Sequence, residues 1–455
     1  MDIPSMSILK ATVLITIIAF SLSFPTFIAQ AQSGFPLTVP DDFGRSVTIN
    51  SSPKRIVSTA PSNTELLFAL GAGDLVMGVT RYCDWPPVVV DKVKRNEIAL
   101  IGGYADPSLE AVVSLTPDLV LAATDLQFEF VSTLQKRGMV VIALNPKNLD
   151  GIIRNIALVG TICGKASAAD KLIDNLQRRS SYITNRVTAA SSKPKVYYEL
   201  WYDPLMSFGS NTLADELITK AGGENIFRDS PTMYPIVNSE MVIQKNPDMI
   251  VVPEGYMGGD AKTDFEKRAG WKTIKAVKEG EIYTINENLV IRPGPRICDG
   301  LENFASIIHP ELFTGTIHYN SSIAVTSNST VFAMTFDDSR SLLNFTVIGR
   351  GGSKASIRVE IPQRLIKGNP IVLVNGIEKA ASISKSQEVY VLDFTTSLST
   401  LNIVIGGTQT IPEFKDLLMP LLLPLLAALA VLKLRINRTS TGRKFENYTA
   451  EAECA

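Results

Sequence analysis

Tyr82, Trp85, Pro86 and Pro87 close the stretch PSNTELLFALGAGDLVMGVTRYCDWPP, Pro61 to Pro87, and their chemistry is that of contact rather than of bond making. An aromatic face offers a large, rigid, partly apolar area with few rotamers to freeze. Histidine, the side chain most often used to move protons, is scarce. His309 and His318 are the only histidines in 455 residues, and no Gly-x-Ser-x-Gly elbow, Gly-x-x-x-x-Gly-Lys-Ser/Thr loop or His-Glu-x-x-His pair occurs. A histidine base and a multi-histidine metal site are thereby excluded from everything before His309. The expectation is a protein that is not an enzyme and has no resident metal or cofactor.

The elements that must position these rings are legible around them. Ser62 is placed to N-cap a helix, with Glu65 reaching back three residues later and Pro61 just outside. Leu66, Leu67 and Leu70 give that helix an apolar face, Gly71 supplies a left-handed stop, and Val76 to Thr80 reads as a short buried strand. Residues just past the carboxyl end of a strand in an open α/β sheet are where ligands usually bind. Rings in that place serve either as loop packing or as a binding platform, and the rest of the chain must separate the two.

From about Pro53 to Phe313 helical and strand patterns alternate, which predicts an α/β architecture. EAVVSLTPDLVL from Glu110 and EMVIQKNPDMIV from Glu240 repeat one unit: a glutamate, a short apolar helix, Pro-Asp, then an apolar strand. Two lobes built alike follow, about 53–164 and 194–313 within a binding domain of 32–313. Ala169, Leu172, Ile173, Leu176, Ile183 and Val187 recur at helical spacing, so one long helix at about 166–188 can span the two. An earlier helix carries Ile152, Ile153, Ile156 and Val159, and Gly164 separates them. Beyond, over 316–410, STVFAMTF, LLNFTVIG, ASIRVEIP, PIVLVNG, EVYVLDF and LNIVIGG are short and β-branched, with Gly, Asn and Ser turns, as in a β-sandwich. It lacks a cluster of reactive side chains and reads as a spacer, with an adhesive module as the alternative.

The ends carry addresses. Lys10, the apolar run Ala11 to Phe24 and Ala29-Gln30-Ala31 form a secretory signal over 1–31, leaving Gln32 as the first mature residue. Leu417 to Leu432 is nearly uninterrupted hydrocarbon, followed by Lys433, Arg435, Arg438, Arg443 and Lys444, which reads as a membrane anchor with a cytoplasmic basic tail. The binding domain then faces outward from the cell membrane. Net charge is −1 and pI about 6.3, so the basic face that nucleic acid requires is missing. Cys83, Cys163, Cys298 and Cys454 have no paired short spacing, which argues against a disulfide framework or zinc site. Asn50, Asn320, Asn328 and Asn344 are glycosylation acceptors by pattern.

Two resemblances add to this reading. Pro412-Glu413-Phe414, before the apolar segment and basic end, resembles the Pro-Glu-Phe sorting signals of archaeal surface proteins, although Lys415 stands where that pattern often has Gly. RIVSTAPSNTELLFALGAGDLVMGVTRYCDWPP, PSLEAVVSLTPDLVLA, LADELITKAGGENIF, SEMVIQKNPDMIVV and IYTINENLVIRPGPRICDGLENFASIIHPELF resemble the ABC-transporter solute-binding proteins of the cobalamin, haem and ferric-siderophore group. Within that group, Tyr82 to Pro87 is most similar to cobalamin-binding members.

The second resemblance implies two α/β lobes joined by a rigid helix, a ligand held in the cleft between them, and delivery to a permease without chemistry on the ligand. It places Tyr82, Trp85 and Tyr104 on the first lobe and Trp201, Tyr202, Tyr234 and Arg292 opposite. Arg296 is either a ligand contact or a structural partner for a carboxylate. Glu110 and Glu240 match the glutamates that dock on the two permease subunits. The implied partners are an ABC permease dimer with its ATPase subunits and a small-molecule ligand, bound by a monomeric chain. The expected ligand is a corrinoid of cobalamin type, with ferric siderophore or haem as the near alternative and a structural surface protein that binds nothing as the second class.

Overall fold

The computed structural model describes residues 34–408 apart from 124, 255–260, 320–321, 350–353, 387 and 398–399. The expected signal, the Pro-Glu-Phe motif, the anchor, the basic tail with Cys454 and the acceptor Asn320 lie outside the described residues. Among the described residues no helix is long and apolar enough to cross a membrane. The chain divides into two units: the first holds residues up to Pro146 with Asp150–Ile173, the second Lys147–Leu149 and everything from Asp174.

In unit 1 an antiparallel hairpin, β1 (Leu37–Pro40) and β2 (Ser46–Ile49), precedes a parallel sheet. That sheet contains β3 (Ile56–Ser58), β4 (Val76–Val79), β5 (Ala99–Leu100), β6 (Leu119–Ala123) and β7 (Val141–Leu144) in the order β5-β4-β3-β6-β7. Strands β6 and β7 are buried along their whole length, as expected when helices cover both faces of a parallel sheet. Val57, Ile101, Val112, Val120, Val131 and Leu134 form the core on one side. The strand order reverses between β3 and β6, so the topological switch point lies at the carboxyl ends of that pair.

The helix after β3 corrects the expected cap. It spans Pro61–Ala69 with Ala60 at the N-cap and no side-chain cap bond, so Ser62 lies inside the first turn. Pro61 occupies the first helical position, where its missing N–H costs nothing and its fixed φ is already helical. Ser62 and Glu65 are buried, so the first turn is held by its surroundings rather than by a capping box. Gly71 ends the helix at φ +69, as expected.

Asp41 ties the hairpin to the sheet. Its carboxylate accepts from the backbone N–H groups of Phe43 at 3.1 Å, Arg45 at 3.0 Å and Ala143 at 3.0 Å, and from the Arg45 guanidinium. Burial alone would raise its pKa, but the Arg45 side chain and these backbone donors together hold it below the usual 3.8. A depressed carboxylate contributes stability above its unfolded pKa, and that contribution disappears as pH falls through the folded one. We therefore expect Asp41→Ala to cost about 2 kcal/mol at neutral pH. The gap between wild-type and variant urea midpoints should close as pH falls below about 3.8; a gap independent of pH would refute this assignment.

Unit 2 begins with a second parallel sheet: β8 (Lys195–Tyr198), β11 (Glu224–Asn225), β12 (Met249–Pro253) and β13 (Ile282–Ile285), in the order β11-β8-β12-β13. The hairpin of β9 (Trp201–Tyr202) and β10 (Leu205–Met206) follows β8 directly. Tyr197, Phe227, Val242, Ile250, Val252, Phe265 and Trp271 form its core. The order reverses between β8 and β12, again setting a switch point beside the first strand.

The repeat seen in sequence has a backbone counterpart in each unit. Ser108 caps the helix Leu109–Ser114 and Asn238 caps Ser239–Lys245, each accepting from an N–H three residues on, at 3.2 and 2.9 Å. Each helix ends near a residue at φ +45, Thr116 and Asn246, followed by Pro-Asp. Asp118 accepts from the N–H groups of Lys54 and Arg55 at 2.8 and 3.0 Å, and Asp248 from that of Lys195 at 2.7 Å. The aspartate thus ties the start of one strand to the lead-in of its neighbour. Glu110 and Glu240 are the second residues of their helices and are exposed.

The helix Ala166–Val187 starts in unit 1 and ends in unit 2. In unit 2, Arg179 donates to Glu302 at 2.7 Å and to Asp299 at 2.6 Å, both on the helix Ile297–Ile308.

The carboxy-terminal β region is two antiparallel sheets sharing one core. One contains β14 (Gly315–Tyr319), β15 (Ile323–Ser327), β18 (Lys354–Pro362), β21 (Ser382–Ser386) and β22 (Val389–Ser397). The other contains β16 (Thr330–Asp337), β17 (Leu342–Ile348), β19 (Pro370–Val374), β20 (Ile377–Lys379) and β23 (Leu401–Gly407). Strand β18 alternates buried and exposed residues along its length, the period-2 pattern of a half-buried strand. Strands β14, β15, β20 and β21 lie outside the six segments quoted from the sequence. Of these, β20 and β21 are short, exposed and at sheet edges, so no hydrophobic period marks them. The region packs on the preceding helices through Phe332, 4.7 Å from Phe313, which lies 6.1 Å from Tyr182. Arg186 stacks over Tyr182 and Phe313 and donates to the Leu312 carbonyl.

Candidate ligand-binding site

In unit 1 the expected ring residues stand at the carboxyl ends of neighbouring strands. Strand β4 runs into Thr80 and Arg81, and the turn is held at Cys83, whose buried sulfur lies 3.2 Å from the Thr64 hydroxyl and 3.3 Å from that of Thr80. With Cys83 turned inward, Tyr82 and Trp85 on either side face outward. Pro86 stands at the N-cap and Pro87 at the first position of the helix Pro87–Lys94. The Pro-Pro pair therefore ends the ring-bearing turn and starts a helix without wasting a donor. Arg81 lies 5.3 Å from the Tyr82 ring centre and pairs with Asp106 at 3.2 Å, which joins this turn to the Tyr104 loop after β5.

In unit 2 the rings share a small antiparallel patch beside the switch point. Strand β10 pairs with β9 on one side, and on the other it leads into Ser207, whose N–H donates to Pro235 O at 3.1 Å; Val237 N–H donates to Leu205 O at 2.8 Å. Trp201 and Tyr202 lie 5.3 Å apart at 32°, with the Trp201 indole N–H on the Asp203 carbonyl at 2.9 Å. Tyr234 leans on Phe208 at 6.0 Å, and Phe208 on buried Tyr198 at 4.9 Å. Just past β8, buried Glu199 accepts from the two terminal Arg268 nitrogens at 2.8 Å and from the Tyr197 hydroxyl at 3.1 Å. Burial pushes the Glu199 carboxyl up against the opposing pull of Arg268. Arg292 and Arg296, both half-buried, flank the Pro-Gly-Pro turn between the helices Asn288–Ile291 and Ile297–Ile308.

The rings face solvent to a degree that core packing would forbid: Tyr82, Trp85, Trp201, Tyr202 and Tyr234 are 52, 43, 52, 42 and 53% exposed. Tyr104 is half-buried. Among the other exposed apolar residues, Leu126, Phe128 and Ile236 carried no mark in the sequence. Their signal was weak, because singly exposed apolar residues are common on any surface. Thiol chemistry finds no support here: burial pushes the Cys163 and Cys298 thiols up to about 11 and about 12. Among the described residues no group of three or more His, Cys, Asp or Glu could hold a metal ion.

Comparison with known proteins sets this geometry in a class. The periplasmic binding protein family matches residues 56–289, and the chain belongs to it, as an ABC-transporter substrate-binding protein of the vitamin B12, siderophore and haem type. It is 33% identical over 291 residues to an uncharacterized ABC transporter substrate-binding lipoprotein of Bacillus subtilis, covering 62% of this chain and 89% of that one. A cobalamin-binding protein of Halobacterium salinarum is 28% identical over 287 residues, covering 62% and 76% of the two chains. The crystal structure of the periplasmic vitamin B12 binding protein of Vibrio cholerae aligns with a TM-score of 0.51 at 25% identity, over 56% of this chain and 97% of that one. Members of the class bind a small molecule and work with an ABC permease and its ATPase.

Proposed function

We propose that this chain captures a cobalamin-type corrinoid outside the cell and presents it to its permease. The observation that carries the reading is the placement of the exposed rings at the carboxyl ends of both parallel sheets, where open α/β sheets bind ligands. Flat macrocycles suit such surfaces, since rings supply area and a few polar groups fix orientation. Similarity to the Halobacterium and Vibrio proteins supports a corrinoid over a ferric siderophore or haem. In this reading Tyr82, Trp85, Tyr104, Trp201, Tyr202, Tyr234, Arg292 and Arg296 contact ligand, and Glu110 and Glu240 dock on the permease dimer. The carboxy-terminal segment holds the chain at the membrane, and the β region acts as its spacer.

The full chain is expected to bind cobalamin or cobinamide with micromolar affinity or better, on the order of −8 kcal/mol. Trp85→Ala should weaken it about tenfold, the worth of one large ring contact. Titration calorimetry with cobalamin, cobinamide, haem and a ferric hydroxamate tests this. Saturable siderophore binding without heat from either corrinoid would sink the cobalamin reading and leave the class intact.

A further inference from the structure

Between β6 and the helix Phe128–Lys136, Gln127 is fully buried, and its amide bonds in four directions. Its oxygen accepts from the Thr59 hydroxyl at 2.6 Å and the Ala123 N–H at 2.9 Å; its nitrogen donates to the Thr59 carbonyl at 3.0 Å and the Tyr104 carbonyl at 2.7 Å. One side chain therefore clamps the carboxyl ends of β3 and β6, the pair that flanks the switch point, to the loop that carries Tyr104. With Gln127 turned inward, its sequence neighbours are turned outward: Leu126 is 70% and Phe128 58% exposed. Phe128 is braced by Phe43, its ring centre 5.6 Å away. Large apolar side chains this exposed lose hydrophobic free energy unless something covers them.

We propose that Leu126 and Phe128 are ligand-binding residues that form an apolar wall for the methyl- and methylene-rich rim of a corrinoid, and that Gln127 is the positioning residue that fixes this wall and Tyr104 together. The inference rests on the corrinoid reading above. A flat macrocycle on Tyr82 and Trp85 leaves its rim to be covered, and a clamp at the switch point sets that cover without strain at each encounter. Gln127 acts through Tyr104 and its neighbours and touches no ligand.

The test measures cyanocobalamin and cobinamide affinity of the full chain by tryptophan quenching and calorimetry. Leu126→Ser with Phe128→Ser should lower affinity for both corrinoids by about thirtyfold, and the exposed positions leave folding intact. Gln127→Ala and Tyr104→Ala should each cost about tenfold, and together little more than either alone, because residues that act through one another are non-additive. Additive losses would reduce Gln127 to a general structural role. If Gln127→Ala does not fold, the Leu126 and Phe128 variant still decides the wall. Wild-type affinity in that variant overturns the inference alone, whereas a wild-type chain that binds no corrinoid overturns the reading beneath it.

Discussion

Cells carrying Glu110→Arg together with Glu240→Arg are expected to lose substrate uptake, while the purified double variant binds ligand as the wild type does. The two glutamates occupy the same place in equivalent cap-helix-Pro-Asp-strand units, each the second residue after a side-chain N-cap and each exposed. A single exposed glutamate is ordinary, since the residue is seldom buried. A matched pair, one on each unit, is what a permease of two like subunits would read. Charges across such an interface steer the encounter and fix register, and truncation of one charge of a desolvated pair costs about 2 to 5 kcal/mol, less at a rim. Each single reversal should give a partial loss. The fold should tolerate the change, because an acidic residue in the first turn of a helix contributes only about 0.3–1 kcal/mol. Uptake of labelled cobalamin beside calorimetry on purified protein measures both halves. Normal transport by a folded, surface-localised double variant would remove both residues from the mechanism.

The second large effect is on stability. Arg179→Ala should destabilise unit 2 by about 3 to 5 kcal/mol, because it leaves the Glu302 carboxylate buried without its counter-charge. Burial works against the Arg179 charge, and the carboxylates of Glu302 and Asp299 overcome it, holding the guanidinium firmly protonated. The side chain of Glu302 is 2% exposed and that of Arg179 14%. Its neighbour Arg178, which pairs with Asp174 at 3.2 Å on the exposed face, provides the control: Arg178→Ala should change stability by less than about 1 kcal/mol. Urea unfolding of both variants decides. A near-neutral Arg179→Ala would mean that water or a neighbour satisfies Glu302. The functional consequence is rigidity, since this triad fastens the end of the long helix to the helix Ile297–Ile308.

Period and punctuation make much of this protein legible in its sequence. The long helix Ala166–Val187, the stop at Gly71, the alternation of β18 and the strand after Pro-Asp in each unit all follow from local rules that act within a few residues. The repeat was legible for the same reason: Glu, Pro and Asp keep their spacing because the short helix and turn between them have one length. The ring residues could be nominated from the Tyr-Cys-Asp-Trp-Pro-Pro run past a buried strand, although rings in that place serve loop packing as readily as binding.

Tertiary structure decided what local rules could not. Whether Ser62 caps a helix or lies inside one depended on burial of the whole first turn, which brought Pro61 into the helix instead. The strand orders β5-β4-β3-β6-β7 and β11-β8-β12-β13, and with them the switch points beside the rings, arise from pairings between segments far apart in the chain. Gln127, Glu199 and Arg179 look like surface residues in a sequence, because polar side chains mostly are. Gln127 and Glu199 are buried here and Arg179 half-buried, because partners as distant as Thr59, Arg268 and Glu302 complete their hydrogen bonds. Sequence determined which aromatic side chains follow the strands; only the fold decided which of them face outward, since burial is set by the whole set of neighbours and by no residue alone.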